Sequence, residues 1–306
     1  MKRAKVFLCL LAFSVISLSP GWAQTAAPAK APAPMAPAPA VAMHAPSYKD
    51  VYCAGFITNQ PVQSGLFVVA SAEGGLKYLQ AQGDIIYLSR GAGYIVNPGG
   101  EYMLLRLLKD AIKNETFSGQ NDMLKRLGKM YAEVGRIKVN IVHESTATAE
   151  VENTCQEIQP GDVAIPFNQK PMPQFQADSF DRFAPPSGKN PGIIVTGKYY
   201  QRLLGAGDVV YLSMDAPEGV SVGQNYRIFR AFSGLEKVPD SRSQDNAPTH
   251  LSGMRQHYKL TPDQKKVLPR DILGQLVILW SEGRSAVGLI TLAGAEILSG
   301  DEVELK

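Results

Sequence analysis

From Tyr52 onward, apolar residues fall in short runs separated by Gly, Pro and Asp. Examples are "GLFVVAS", "DIIYLS", "RIKVNIV", "GIIVTG", "DVVYLS", "YRIFRAF" and "GQLVILW". Runs of this length, rich in Val, Ile and Tyr and bounded by turn formers, predict β-strands. Ile137, Val139 and Ile141 alternate with Lys138, Asn140 and Val142, and the later Leu276, Ile278 and Trp280 repeat the pattern. One face of each strand is therefore expected to be apolar. A turn is expected at His143-Glu144-Ser145 and again at Glu282-Gly283-Arg284, with Ala147, Ala149 and Val151 returning as a partner strand. One segment has helical spacing. In "GQNDMLKRLGKMYAEVG", Met123, Leu124, Leu127, Met130 and Tyr131 share one helical face, with Asn121 or Asp122 as its cap.

The chain writes "GDIIYLS" at 83–89 and "GDVVYLS" at 207–213. Aligned without a gap, 83–106 and 207–230 share ten identities in 24 positions, among them Tyr87 with Tyr211 and Arg106 with Arg230. Unrelated segments would share roughly one or two. A second block matches at a larger offset: Gly135 meets Gly274, and Glu157, Ile158, Gly161 and Asp162 meet Glu296, Ile297, Gly300 and Asp301. The offset rises from 124 to 139, a 15-residue expansion in the second half. The pattern reads as an internal duplication. The fold class expected is all-β: two tandem homologous small β-barrel or sandwich domains of about six strands each, with one short helix in the first.

The Gly-Asp pairs have two readings. Glycine permits a positive φ, and aspartate accepts backbone N–H bonds in a turn. Alternatively, Asp84, Asp162, Asp208 and Asp301 are metal or catalytic carboxylates. Turn chemistry explains four pairs at strand starts more simply, and Tyr87 and Tyr211 are then expected to pack on the domain cores.

The chain opens "MKRAKVFLCLLAFSVISLSPGWAQ". A basic start, a short apolar stretch and Gly21-Trp22-Ala23 predict a signal peptide over 1–23, cleaved after Ala23. The apolar stretch is too short to span a membrane. Cys9 lies within it rather than after it, which does not suit a lipidated cysteine. Residues 24–50 alternate Ala and Pro and are expected to form a disordered spacer. The first β domain is expected over 51–167. A linker follows over 168–190, in a proline-rich stretch that orders only where Phe175, Phe180 or Phe183 can dock. The second β domain is expected over 191–306. It carries an insertion at about 231–270, read as a long mobile loop with Pro239, Pro248, Pro262 and Pro269 and a helical turn at "TPDQKKVL".

Cleavage changes the charge and the cysteine count. The full chain carries a formal +3, and the leader holds three basic residues and no acidic one. The mature chain is near neutral, without the basic surplus of a nucleic-acid binder. Three cysteines become two, and Cys53 and Cys155 are the disulfide candidates of an exported chain. Two separate buried thiols are the alternative.

No catalytic, metal or cofactor motif emerges. His44, His143, His250 and His257 sit in no zinc pattern. Ser187-Gly188-Lys189 lacks the glycine and strand context of a phosphate loop. Asn114-Glu115-Thr116 is a glycosylation triplet too common to weigh. The chain is read as no enzyme, with no cofactor.

The stretches "GDVVYLS", "EGVSVGQNYRIFR", "LGQLVILWSEGRSAVGLI" and "AEILSGDEVEL" resemble a β module of bacterial envelope proteins. The module is similar to those found downstream of LysM domains and, more loosely, to the C-terminal domain of flagellar assembly protein T. The resemblance covers 52–167 and 191–306 and implies a non-catalytic envelope module. The chain has no recognisable LysM motif. The function expected is scaffolding or docking in a cell-envelope assembly. The partner would be an envelope protein or peptidoglycan, with no nucleic acid and no transmembrane segment after cleavage. Exposed strand edges or the insertion would supply the contacts. A second reading is peptidoglycan or glycan binding, favoured if Tyr199, Tyr200 and Trp280 line a groove, although Trp280, on the apolar face of its strand, suits a core better. An uncharacterised hydrolase is the third.

Overall fold

The computed structural model describes residues 43–63, 65–74, 80–93, 96–109, 115–177, 179–216, 218–231, 263 and 268–306. The stretch expected to form a signal peptide, most of the Ala/Pro spacer and nearly all of the insertion expected at 231–270 lie outside the described residues.

The chain enters through α1 (Tyr48–Tyr52) and β1 (Phe56–Thr58), followed by β2 (Val68–Ser71), β3 (Ile85–Leu88) and β4 (Glu101–Leu107). Next come α2 (Gln120–Leu127), β5 (Lys129–Val142), β6 (Ala147–Thr154) and β7 (Val163–Pro166). The second half runs β8 (Lys189–Gly197), β9 (Leu203–Leu204), β10 (Val209–Met214), β11 (Asn225–Arg230), β12 (Asp271–Glu282), β13 (Ser285–Ala293), β14 (Ile297–Leu298) and β15 (Glu302–Leu305). The fold is all-β.

Both halves are barrels. In the second, β8-β10-β13-β12-β11-β15 closes on itself, every pair antiparallel. In the first, the order β2-β3-β6-β5-β4-β7 follows the same path, and β1 adds to β5 from outside. Its ends meet through the bridge Phe67–Val163 and the bonds Val68 N to Asp162 O and Ala164 N to Leu66 O, each 2.8 Å. Closure leaves little edge open to another strand. Ile86, Leu88, Leu104, Ile137, Val139 and Val151 fill the first interior, and Val210, Leu212, Tyr226, Ile228, Leu276 and Ile278 fill the second.

The two hairpins differ on their outer faces. In β5–β6 the outward positions are Lys138, Asn140, Thr148 and Glu150, none of them buried. At the corresponding positions of β12–β13 stand Val277, Leu279, Val287 and Leu289, all at 0–1% exposure. They pack with Val195, Val209 and Tyr211 against Val51, Tyr52, Ala54, Met103, Leu105 and Tyr131 of the first half, so a third core runs between the barrels. Burying such an aliphatic side chain contributes about 1.5–3 kcal/mol.

Several expectations change. Tyr211 is buried as expected, but it packs between the barrels; its counterpart Tyr87 is 37% exposed rather than packed on a core. The apolar alternation fails at its last member in both hairpins. A register shift falls between Val139 and Ile141, and another between Ile278 and Trp280. A bulge turns the following side chain over, so Ile141 is 53% exposed and Trp280 joins the seam between barrels. The helix is shorter than its periodicity predicts. Gly128, at φ 118, ends it, and Met130 and Tyr131 belong to β5. Neither Asn121 nor Asp122 caps it: the Glu115 carboxylate accepts from Gly119 N (3.3 Å) and Asn121 N (2.9 Å). Folded structure also starts ahead of residue 51. His44 N donates to Thr291 O at 2.7 Å, and Ser47 caps α1 in a capping box with Asp50. In the interdomain stretch Phe180 packs near Ala184, Phe229 and Ile272, while Phe183 is 69% exposed.

Candidate functional site: the seam between the barrels

The four Gly-Asp pairs are turns. Gly83, Gly161, Gly207 and Gly300 hold φ between 89 and 104, where a side chain is strained. Each following aspartate accepts, through Oδ2, the N–H of the residue three positions back: Ala81, Gln159, Gly205 and Leu298, at 2.5–2.8 Å. Asp162 and Asp301 do more. Arg106 grips Asp162 with Nε and Nη2 at 2.7 and 2.8 Å, and Arg230 grips Asp301 at 2.6 and 2.7 Å. The same arginines donate to the carbonyls of Glu157 and Glu296. Burial raises the Asp301 carboxyl pKa, against the pull of Arg230, while the carboxylate partners raise those of both guanidiniums. These carboxylates are committed to turns and ion pairs. Among the described residues, no group of three or more His, Cys, Asp or Glu side chains could hold a metal ion.

The leading segment of the first half clamps the seam. Cys53 and Cys155 form a disulfide with Cα atoms 5.4 Å apart, as the cysteine count predicts. Two residues of the second barrel reach this segment: Tyr211 Oη donates to Ala54 O at 2.8 Å, and Lys198 Nζ donates to Cys53 O at 2.5 Å. Gln120 Nε2 in turn donates across to Val195 O at 2.7 Å. Gly55 is required where it stands: its φ is +73, and a Cβ there would lie 2.6 Å from Tyr131 O and 2.8 Å from Tyr211 Oη. At the Cys155 position the second half has Gly294, and a Cβ there would lie 2.8 Å from the Phe180 ring. A ring packed on glycine thus holds the second leading segment where a disulfide holds the first.

Beneath Gly55 sits a buried ion pair. Glu133, 2% exposed, meets Lys170 Nζ at 2.5 Å and accepts from Gly55 N at 3.1 Å. Lys170 Nζ also donates to Val51 O, and its backbone N–H donates to Tyr52 Oη at 2.9 Å. Burial raises the Glu133 pKa even against Lys170 and lowers that of Lys198. Both oxygens of Glu133 have partners, Oε1 in Lys170 Nζ and Oε2 in the Gly55 N–H.

A cleft of about 430 Å³ opens above this pair, with walls from both barrels. Phe56, Met103, Ile165, Phe167 and Trp280 line it, and Thr58, Gln60, Asn168, Gln169 and Glu282 add polar groups. The Phe56 and Trp280 rings lie 5.5 Å apart, tilted by 39°. Phe167 stacks on Tyr52 at 5.6 Å, with the Arg136 guanidinium 5.0 Å from its centroid.

The sequence-predicted aromatics do not share one groove. Trp280 lines this cleft. Tyr200 lines a smaller one of about 270 Å³ with Ile57, Leu107, Leu124 and three lysines. Tyr199 Oη bonds Gln156 Oε1 at 2.9 Å. Phe56 and Phe167 were missed, because each lies at an end of the first half and only folding brings them together. His143 bonds Thr148 Oγ1 at 2.8 Å. The amides of Ser187 and Gly188 hold a protein carboxylate, Glu304, at 3.0 and 3.2 Å, so this resemblance to a phosphate loop is filled from within. No helix among the described residues is long and apolar enough to cross a membrane. In comparisons with protein families and with curated proteins, no family model and no curated sequence matches this chain.

Proposed function

We propose that this chain is a non-catalytic exported protein of the cell envelope, built from two copies of one β module and acting as a rigid docking scaffold. The observation that carries the reading is the contrast between Tyr211 and Tyr87. The face around Tyr211 is covered by a neighbouring module, while the corresponding face around Tyr87 stays open, with Phe67, Val69 and Ile141 also exposed. What covers the first face defines the partner for the second: an envelope protein presenting a short apolar segment with a free carbonyl, as Ala54–Phe56 does within the chain. The disulfide suits an oxidising compartment, and the resemblance to envelope modules points the same way. The turn and ion-pair roles of the shared aspartates leave little apparatus for catalysis in either half.

The test combines location and contact. A photo-crosslinking residue replaces Tyr87 in cells, with Lys138→Ala as an unlabelled folding control. The mature N-terminus and the thiols are read by mass spectrometry. The expected result is an N-terminus at Gln24, no free thiol, and one discrete envelope adduct that disappears with Val69→Asp. An intact Met1 with two free thiols, or an absence of any adduct in the envelope fraction, overturns the proposal.

A further inference from the structure

The cleft between the barrels has a chemistry that the docking role does not use. Phe56, Phe167 and Trp280 are among the residues that line it. Its rim carries the amides of Gln60, Asn168 and Gln169, all on exposed residues, with no hydrogen bond from these side chains to the protein among the described residues. Its volume of about 430 Å³ falls within the ~300–1,000 Å³ typical of ligand pockets.

Charge narrows the ligand. The cation in the lining, Lys170, is committed to Glu133 and to the carbonyl of Val51. The remaining charged group is the Glu282 carboxylate, on an exposed residue at the rim. A phosphate or carboxylate ligand would meet no free positive group and one like charge. A wholly apolar ligand would fit the walls but would strip water from the rim amides without replacing its hydrogen bonds. The ligand that satisfies both is neutral, with a flat apolar face and a hydroxylated edge. A pyranose ring has that form: its C–H face stacks on an aromatic ring, and its hydroxyls both donate to and accept from side-chain amides.

We propose that this cleft is a binding site for a neutral saccharide chain, with Trp280 as the stacking surface, Phe56 and Phe167 as apolar walls, and Gln60, Asn168 and Gln169 as the hydrogen-bonding edge. The site does not depend on the docking role and can stand or fall without it.

Trp280 is also its reporter. The sequence holds two tryptophans, Trp22 and Trp280, so a chain produced from Gln24 reports from the cleft alone. The full mature chain is titrated with tetra-N-acetylglucosamine and with maltotetraose, following tryptophan emission and heat. At least one tetrasaccharide is expected to give a saturable shift. Gln169→Ala, at an exposed rim position, and Phe167→Ala should each weaken binding by roughly tenfold. Tyr87→Ala, outside the cleft, should leave it unchanged. Because Phe167 also packs on Tyr52, the rim variant decides the matter if Phe167→Ala unfolds. Failure of both tetrasaccharides to saturate by about 10 mM, or binding that ignores Gln169→Ala, overturns the site.

Discussion

The hydroxyl of Tyr211 donates a 2.8 Å hydrogen bond to the carbonyl of Ala54, in the segment that leads into the first half. Tyr211 is 1% exposed, and burial raises its pKa, so it remains a neutral donor. Removing the hydroxyl leaves a buried carbonyl without this partner, which costs about 1–3 kcal/mol. Tyr211→Phe should therefore lower stability in urea by that amount. Tyr87→Phe, at the equivalent but exposed position, should stay within about 0.5 kcal/mol of the parent. Equal losses at the two sites would contradict the assignment of Tyr211 to the seam.

The disulfide spans 102 residues and anchors the segment that Tyr211 and Lys198 reach. In the chain-entropy model, opening a loop of this size costs about 4–5 kcal/mol. Replacing both cysteines by serine should lower the urea midpoint strongly. Faster amide exchange is expected at Ala54 and Gly55, ahead of the interior of the second barrel. Uniform exchange across both barrels would mean that the bond does not act through the seam.

Arg106 and Arg230 are fixed by geometry as well as charge, since each bonds a carboxylate through two nitrogens. Asp301 is 1% exposed at its side chain. Arg230→Met would strand that carboxylate, a loss of about 3–5 kcal/mol for a buried pair. Arg230→Lys keeps the charge but not the fork, and should fall between parent and Met variant in thermal unfolding. A Lys variant as stable as the parent would show that charge alone suffices.

Acid should act through Glu304. Burial opposes its charge, yet Arg270 and the amides of Ser187 and Gly188 together carry its pKa from the ordinary 4.5 down to about 2. A depressed carboxylate stabilises the fold above its unfolded pKa and loses that contribution as pH falls through the folded one. The stabilisation, about 3 kcal/mol, is complete above pH 4.5 and drains away towards pH 2. Glu304→Gln should flatten this part of the acid unfolding curve. A variant with an unchanged curve would place the acid sensitivity elsewhere.

Much of this architecture is legible in the chain. The strand runs, the Gly-Asp turns and the cysteine pair follow from local rules. The covered face is legible too, in the unbroken apolar run of the second hairpin. "KVN" alternates in the first hairpin, whereas "LVILW" at 276–280 is continuous, and a continuous run marks a strand buried on both sides. The bulges at Asn140 and Leu279 carry no comparable signal, so Ile141 and Trp280 were assigned to the wrong face. Met130 and Tyr131 fit a helical period as well as a strand, and Gly128 decided between them. The cleft was the least legible feature. Phe56 and Phe167 enter it from the two ends of one barrel and Trp280 from another, and no spacing along the chain links the three.

The unequal hairpins also set an order of assembly. A polypeptide is made from its N-terminus, and domains fold largely as they emerge. The first barrel turns the outer face of its hairpin, Lys138, Asn140, Thr148 and Glu150, to water, and offers Met103, Leu105 and Tyr131 to the seam. The second bears Val277, Leu279, Val287 and Leu289 at the same places and needs a lid. With the modules in this sequence, the lid is finished before the surface that needs it is synthesised. The half made first thus supplies the cover for the apolar hairpin of the half made last.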